Sequence, residues 1–237
     1  AAGRADASIG VCNALIDVLR GWGIEENKLH VMRNGVDLQR FKPLLPSEAR
    51  RRLGLGPGPV LLSVGGLIER KGHHVAVAAM PALRKRFADV QLLIVGEGPE
   101  RGRLEHQIAG LGLQQRVRLV GAIANAELAT WYSAADALIL ASSREGWANV
   151  LLEAMACGTP VLATRIWGTP EVVADERVGL LLERRDGEAL AEAATQLLEQ
   201  PRDRGHVRRY AEGFGWERTS RAQLSLFEHL ARNGISA

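Results

Sequence analysis

The chain has 237 residues, 46% of them hydrophobic, and a formal charge of +3. This size and apolar content allow one large globular domain, or one domain with part of another. Aromatic residues are few and no run of like charges is long, which argues against a nucleic-acid surface. No apolar run reaches the length of about 18 residues that spans a membrane. The cysteines, Cys12 and Cys157, lack metal-ligand spacing, which fits core thiols in a reducing cytoplasm.

The first quarter of the chain predicts a small unit followed by a linker. Apolar stretches at 7–11 and 29–32 indicate two short strands, with a helix at 13–22 between them. A turn signal at Asn34-Gly35 then opens a stretch rich in proline and arginine, which contains one short predicted helix at 46–53. We therefore expect residues 34–58 to connect two parts of the protein.

Strands and helices alternate from residue 59 onward. Continuous apolar runs predict six strands, at 60–64, 90–95, 117–120, 137–141, 161–164 and 179–182. Helices are predicted at 72–87, 100–111, 125–133, 149–156, 170–174 and 186–200. This pattern indicates an α/β fold with a doubly wound parallel sheet that is covered on both faces. Ligands bind such sheets at the carboxyl ends of the strands.

Two more helices are predicted in the tail, at 202–212 and 216–232. The second carries Leu224, Phe227 and Leu230 at helical spacing. This spacing predicts that one face of the helix is buried.

The stretch 142–164 carries the first candidate site. A polar turn follows the strand that ends at Ala141, and a helix then begins near Asn149. Glu145 precedes this helix and Glu153 lies within it, close to amides that lack intrahelical partners. The arrangement suits a ligand with an anionic centre flanked by hydroxyl groups. The structural alternatives are that Glu145 caps the helix and that Glu153 is a solvated helix residue.

A second loop, at 65–72, offers Arg70 and Lys71. It lacks the second glycine and the Ser or Thr of a Walker motif, but its amides and two cations can hold phosphate. The glycines at 96–102 do not have the spacing of a dinucleotide fingerprint, and neither an Asp-x-Asp pair nor a histidine cluster indicates a metal. The two loops together suit a nucleotide diphosphate sugar, with cations for the diphosphate and carboxylates for the hydroxyl groups.

Several segments resemble one family in a single order. The sequence EGWANVLLEAMACGTPVLAT, with Glu145 and Glu153 eight positions apart, resembles the signature of the retaining glycosyltransferases of family 4 (group 1), which have the GT-B fold. Further resemblances lie in NGVDLQRFKP, VGGLIERKG, IVGEGPERGRLE, VRLVGAI, WYSAADALILAS and GWERTSRAQLSLFEHL. They imply the Rossmann-like C-terminal domain of such an enzyme with a remnant of its N-terminal domain.

The resemblance also implies a domain division. Residues 1–36 would end the N-terminal acceptor domain, and residues 37–58 would be the interdomain linker. Residues 59–212 would form the nucleotide-sugar-binding domain, and residues 213–237 the helix that crosses back to the N-terminal domain. Without that domain, we expect the apolar face of the last helix to be exposed.

The family implies roles for the site residues. Lys71, helped by Arg70, would bind the diphosphate, Glu145 the sugar hydroxyls and Glu153 the ribose hydroxyls. The other implied binding residues supply backbone or line the site: Gly65, Gly66, Arg118, Val120, Gly121, Gly146, Trp147, Ala148, Asn149 and Val150. Amides at 147–150 would face the sugar and phosphates, and backbone at 118–121 the base.

Structural alternatives remain for three of these residues. Lys71 could be a solvated loop lysine, Arg118 could lie exposed at a strand end, and Trp147 could fill the core. The chain also departs from the family at three places, one of which is Asp175-Glu176-Arg177 in place of a usual glycine-rich turn. Gly66 stands where an arginine is common, which makes Arg70 its candidate substitute, and Trp147-Ala148 replaces a common Phe-Pro.

The expected function is the donor-binding half of a retaining, metal-independent hexosyltransferase in glycolipid or polysaccharide synthesis. Its partners would be a nucleotide-sugar donor and the missing N-terminal domain, without a cofactor, and the fragment alone would be inactive. We expect a cytoplasmic location, and the absent domain leaves open a peripheral association with the inner face of the membrane. Two alternatives stay open: a nucleotide-sugar epimerase or sugar phosphorylase of the same fold, and a non-enzymatic nucleotide-sugar-binding module.

Overall fold

The computed structural model describes residues 5–234 and begins with a small unit of two strands and one helix. Strands β1 (Ser8–Gly10) and β2 (Leu29–Val31) pair in parallel, and helix α1 (Asn13–Gly21) connects them. A linker with the short helix α2 (Pro46–Arg52) follows. The predicted strands and helices of this region are therefore confirmed. The extreme ends of the predicted first and last segments, residues 1–4 and 235–237, lie outside the described residues.

A six-stranded parallel sheet forms the centre of the chain. Its strands are β3 (Val60–Val64), β4 (Gln91–Val95), β5 (Val117–Gly121), β6 (Ala137–Leu140), β7 (Val161–Thr164) and β8 (Gly179–Leu182). They lie in the order β5-β4-β3-β6-β7-β8, and every neighbouring pair is parallel. The chain builds one half of the sheet outward from β3 and then returns to its other side at β6. The position between β3 and β6 is thus the topological switch point, where ligands bind in folds of this kind.

Helices cover both faces of the sheet, as the continuous apolar strands predict. They are α3 (His73–Arg86), α4 (Arg101–Gly110), α5 (Leu128–Ala134), α6 (Asn149–Ala156), α7 (Thr169–Val172), α8 (Gly187–Glu199), α9 (Arg204–Glu212) and α10 (Trp216–Gly234). Apolar side chains of α3, α4 and α8 pack on one face, and those of α5, α6 and α9 pack on the other. The doubly wound α/β fold is confirmed.

The last helix differs from one expectation. Leu224 and Phe227 of α10 are 59% and 56% exposed, so the prediction that spacing alone buries this face is wrong for the chain as it stands. These side chains form an exposed apolar face on α10. Within residues 5–234, no helix has both the length and the apolar character needed to cross a membrane.

Candidate functional site

Two loops meet at the carboxyl ends of the neighbouring strands β3 and β6. Gly72, which closes the first loop, has a φ of 74° and lies so close to the second that an added Cβ would be 1.8 Å from the Ala141 carbonyl oxygen. The Ser143 amide of the second loop also donates to the Arg70 carbonyl over 2.9 Å. The parallel strand order therefore holds the two predicted loops side by side.

Lys71 and Glu145 form the centre of this junction. Lys71 Nζ lies 2.6 Å from Glu145 Oε1, across a sequence separation of 74 residues. The same oxygen accepts from Ser142 Oγ over 2.7 Å, and Arg70 Nη1 lies 3.9 Å away. The side chain of Glu145 is only 8% exposed. Since the hydrogen bonds from Lys71 and Ser142 both go to Oε1, Oε2 has no hydrogen-bond partner within the described part of the chain and can accept from a ligand.

His73 connects the first loop to strand β3 through hydrogen bonds. Its Nδ1 lies 2.9 Å from Ser63 Oγ in β3, and its Nε2 lies 3.2 Å from the Gly66 carbonyl oxygen. Burial lowers the pKa of His73 to about 4, so the ring is neutral near pH 7 and donates from one nitrogen while accepting at the other. His73 is not among the site residues predicted from the sequence. The sequence feature that could have indicated its role is its position directly after Gly72, which closes the loop.

Glycine occupies the outward positions of the first loop. The Gly65 amide donates to the Val95 carbonyl over 3.0 Å, which fixes the loop to the neighbouring strand. Gly66 is exposed, and a Cβ added there would meet only the Glu97 carbonyl oxygen at 3.8 Å. The loop thus has space for an arginine side chain at this position, where this chain has glycine.

The start of α6 supplies free amides to the same edge. The Asn149 amide donates to the Trp147 carbonyl over 3.1 Å, so it is already used. For residues 5–234, the amides of Gly146, Trp147, Ala148 and Val150 have no acceptor. Such amides and the helix dipole favour an anion at this point.

Glu153 lies deeper on α6 and does not join the Lys71–Glu145 contact. Tyr132 Oη of α5 donates to Glu153 Oε2 over 2.8 Å. Burial raises the pKa of the Glu153 carboxyl, and burial followed by the Glu153 charge places the pKa of Tyr132 well above its usual value. Tyr132 is not among the site residues predicted from the sequence, although it lies in the family-like segment WYSAADALILAS.

Trp147 and Arg118 make contacts away from the loop junction. The Trp147 side chain is 7% exposed, with its ring centre 6.3 Å from that of Phe214 and 5.8 Å from the Arg33 guanidinium carbon. This side chain belongs to the core, as its structural alternative predicted. Arg118 lies over the Trp131 ring at 5.5 Å.

The rest of the predicted base-binding segment is the end of β5. The Arg118 Cα pairs with Leu93, in the middle of the neighbouring strand. Val120 and Gly121 follow at the carboxyl end of β5, and the Gly121 carbonyl accepts from the Gly96 amide over 2.9 Å. Only these two residues of the segment lie at the edge where the loops meet.

The N-terminal unit contacts α7 through Glu171. The Glu171 carboxylate accepts from the Asn13 amide over 2.8 Å and from Arg33 Nε over 3.0 Å.

The described residues contain no group of three or more His, Cys, Asp or Glu side chains that could hold a metal ion.

The chain is similar to known glycosyltransferases. The sequence profile of the family "Glycosyl transferases group 1" matches residues 47–214. A D-inositol 3-phosphate glycosyltransferase of Frankia alni is 37% identical over 231 residues, which is 91% of this chain and 56% of that protein. The chain therefore spans about half the length of the relatives it matches.

Solved structures show the same fold. A sucrose-phosphate synthase from Thermosynechococcus elongatus has a TM-score of 0.89 and 33% identity over 98% of this chain and 60% of that one. HepE of Anabaena in complex with UDP-glucose has a TM-score of 0.87 and 24% identity over 97% of this chain and 65% of that one. On the profile match over most of its length, the chain belongs to the family of glycosyl transferases group 1.

Proposed function

We propose that this chain is the donor-binding half of a retaining, metal-independent glycosyltransferase of family 4. The whole enzyme transfers a sugar from a nucleotide diphosphate sugar to an acceptor in glycolipid or polysaccharide synthesis. The observation that carries the proposal is the 2.6 Å contact between Lys71 Nζ and Glu145 Oε1 at the switch point of the sheet. It supports a site in which Lys71 is the cation for the diphosphate and Glu145 the carboxylate for the sugar.

Lys71, Arg70 and the free amides at this edge bind the diphosphate of the donor. The ammonium group of Lys71 has three donors, so it can keep its contact with Glu145 and also donate to a phosphate oxygen. The free amides at 146–148 and 150 also donate to the diphosphate, on which negative charge develops as it leaves the sugar. Preorganised donors of this kind each lower a barrier by a few kcal/mol. In this proposal, they and Arg70 neutralise the leaving nucleoside diphosphate without a metal or a cofactor.

Two carboxylates hold the sugars at either end. Glu145 Oε2, which has no hydrogen-bond partner in the described structure, accepts from a hydroxyl of the donor sugar. Glu153, whose Oε2 is held by Tyr132, presents its other oxygen to the ribose. The base lies against the backbone of Val120 and Gly121 at the end of β5. UDP-glucose in HepE, a protein of the same fold, supports this class of ligand.

The domain division belongs to the same proposal. Residues 59–212 bind the donor, residues 1–36 end the acceptor domain, residues 37–58 link the two and residues 213–237 cross back. The separate pairing of β1 with β2 and the exposed Leu224 and Phe227 of α10 support it. The acceptor domain completes the active site, so we expect this chain to bind donor in the cytoplasm but not to transfer sugar.

Titration of UDP and GDP into the chain tests the donor site. We expect Lys71→Ala to weaken binding of the preferred nucleotide by roughly tenfold, since tenfold corresponds to about 1.4 kcal/mol and a charge-assisted hydrogen bond contributes that much or more. Lys85→Ala is the matched control, because Lys85 is an exposed lysine in the last turn of α3. Equal affinities in the two variants would remove Lys71 from the site.

A further inference from the structure

A second cleft lies beside the donor loops and is rich in arginine. It has a volume of about 430 Å³ and is lined by Glu69, Arg70, Ser143, Arg144 and Arg185. Only Arg70 is shared with the proposed donor site. Lys71, Glu145 and the residues that begin α6 are not among the lining residues that the structure describes.

The three guanidinium groups of this cleft have little acidic compensation. Arg185 donates from Nε to the Ala141 carbonyl over 2.7 Å and from Nη2 to the Glu69 carbonyl over 3.0 Å, so its partners are neutral. In the described structure, Arg144 has no carboxylate within ion-pair distance. The one carboxylate near Arg70 is Glu145 at 3.9 Å.

Neighbouring arginines are different, because each of them has an acid of its own. Arg165 pairs with Glu183 at 2.5 Å, and Arg184 pairs with Asp186 at 3.2 Å. The single acid that lines the cleft, Glu69, has a side chain 72% exposed and lies 3.9 Å from Arg103, which is not a lining residue. The cleft therefore concentrates positive charge, and mutual repulsion among its arginines is relieved when an anion enters.

The bonds within the cleft also hold part of it in place. Arg185 bridges the two loops, since its carbonyl acceptors belong to Ala141 at the end of β6 and to Glu69 in the first loop. Arg70 Nη1 donates to the Arg144 carbonyl over 2.8 Å, which orients the Arg70 fork. A guanidinium fixed in this way loses less freedom when it binds a ligand.

We propose that this cleft is a binding site for a phosphate group, separate from the donor diphosphate site. Arginine forks match the geometry of phosphate oxygens and can bind them in pairs, and the Ser143 hydroxyl adds a further donor. The volume admits a phosphate together with the group that carries it. A soluble phosphomonoester and a phospholipid headgroup share this chemistry.

Calorimetric titration of inorganic phosphate at constant ionic strength tests the site on the 237-residue chain. We expect Arg144→Gln and Arg185→Gln each to weaken phosphate binding by roughly tenfold, the loss of one charge-assisted contact. The control Arg84→Gln leaves it unchanged. Arg84 donates to the Gly112 carbonyl over 3.2 Å and likewise has no acidic partner among the described residues, but it lies outside the cleft.

The outcomes separate this site from its alternatives. Arg185→Gln removes two bonds to the loops and can disturb them, whereas Arg144→Gln removes no bond that the structure shows. Unchanged phosphate affinity in Arg144→Gln, with its circular dichroism unaltered, overturns the proposal. Loss of binding in Lys71→Ala but not in the two arginine variants also overturns it, because phosphate would then occupy the donor site.

Vesicles identify the source of the phosphate. We compare retention on phosphatidylcholine vesicles with and without about 30% phosphatidylglycerol. Retention that requires phosphatidylglycerol and falls in Arg144→Gln supports a lipid headgroup. Binding of inorganic phosphate without such retention supports a soluble phosphomonoester. Retention that Arg144→Gln leaves unchanged, together with no phosphate binding, excludes the cleft as a phosphate site.

Discussion

Replacement of Gly72 by alanine tests how closely the two loops are packed. The added Cβ would lie 1.8 Å from the Ala141 carbonyl oxygen, whereas real Cβ atoms essentially never approach other heavy atoms closer than 3.0 Å. The φ of 74° is also left-handed, which costs an alanine about 1–2 kcal/mol. Separating the loops to relieve the clash costs about 1–3 kcal/mol more. Gly72→Ala should therefore reduce the free energy of unfolding by about 2–5 kcal/mol.

Gly112→Ala is the matched control for this substitution. Gly112 has a similar φ of 63°, but nothing lies within 4 Å of its added Cβ. This variant should lose only the backbone contribution of about 1–2 kcal/mol. Urea unfolding of both variants, with unchanged m-values, measures the difference. If Gly72→Ala is no less stable than Gly112→Ala, the backbone contact between the first loop and Ala141 does not contribute as we argue.

Two further predictions concern charge. Burial lowers the pKa of His73 to about 4 from 6.5, so the folded state binds fewer protons and the free energy of unfolding falls by about 3 kcal/mol as the pH drops from 6.5 to 4. Urea midpoints across this range should show a smaller fall in His73→Gln, and equal falls would contradict a neutral buried ring. Glu171→Gln breaks the ion pair with Arg33 and should speed amide hydrogen exchange in residues 8–31 but not in β3 or β6. Glu192→Gln on α8 is the control, and equal exchange in both variants would show that Glu171 does not hold the N-terminal unit.

The relation between the two proposed sites has a structural basis. Arg70 lies between them, 3.9 Å from Glu145 on one side and lining the arginine-rich cleft on the other. A phosphate in the cleft would compete with Glu145 for this guanidinium. The affinity for the donor, measured with phosphate bound in the cleft, therefore depends on both sites.

The sequence by itself determined the fold and which two loops lie side by side. Continuous apolar strands between helices require a parallel sheet covered on both faces, and parallel strands bring the loops that follow them to one edge. Lys71 and Glu145 could therefore be placed together before any contact was known. The order of the matched segments was enough to indicate the family for the same reason, since the motifs follow the strands that position them.

The tertiary structure alone decided which atoms meet. The bond of Tyr132 to Glu153, that of His73 to Ser63 and the gathering of Arg185 with Arg70 depend on how separate elements pack, and side-chain periodicity within one element does not specify this. Packing also turned the Trp147 ring toward Phe214 in the core. Local pattern encodes which face of a helix or strand is buried, but contacts between distant elements follow from strand order and helix docking, which only the folded chain defines.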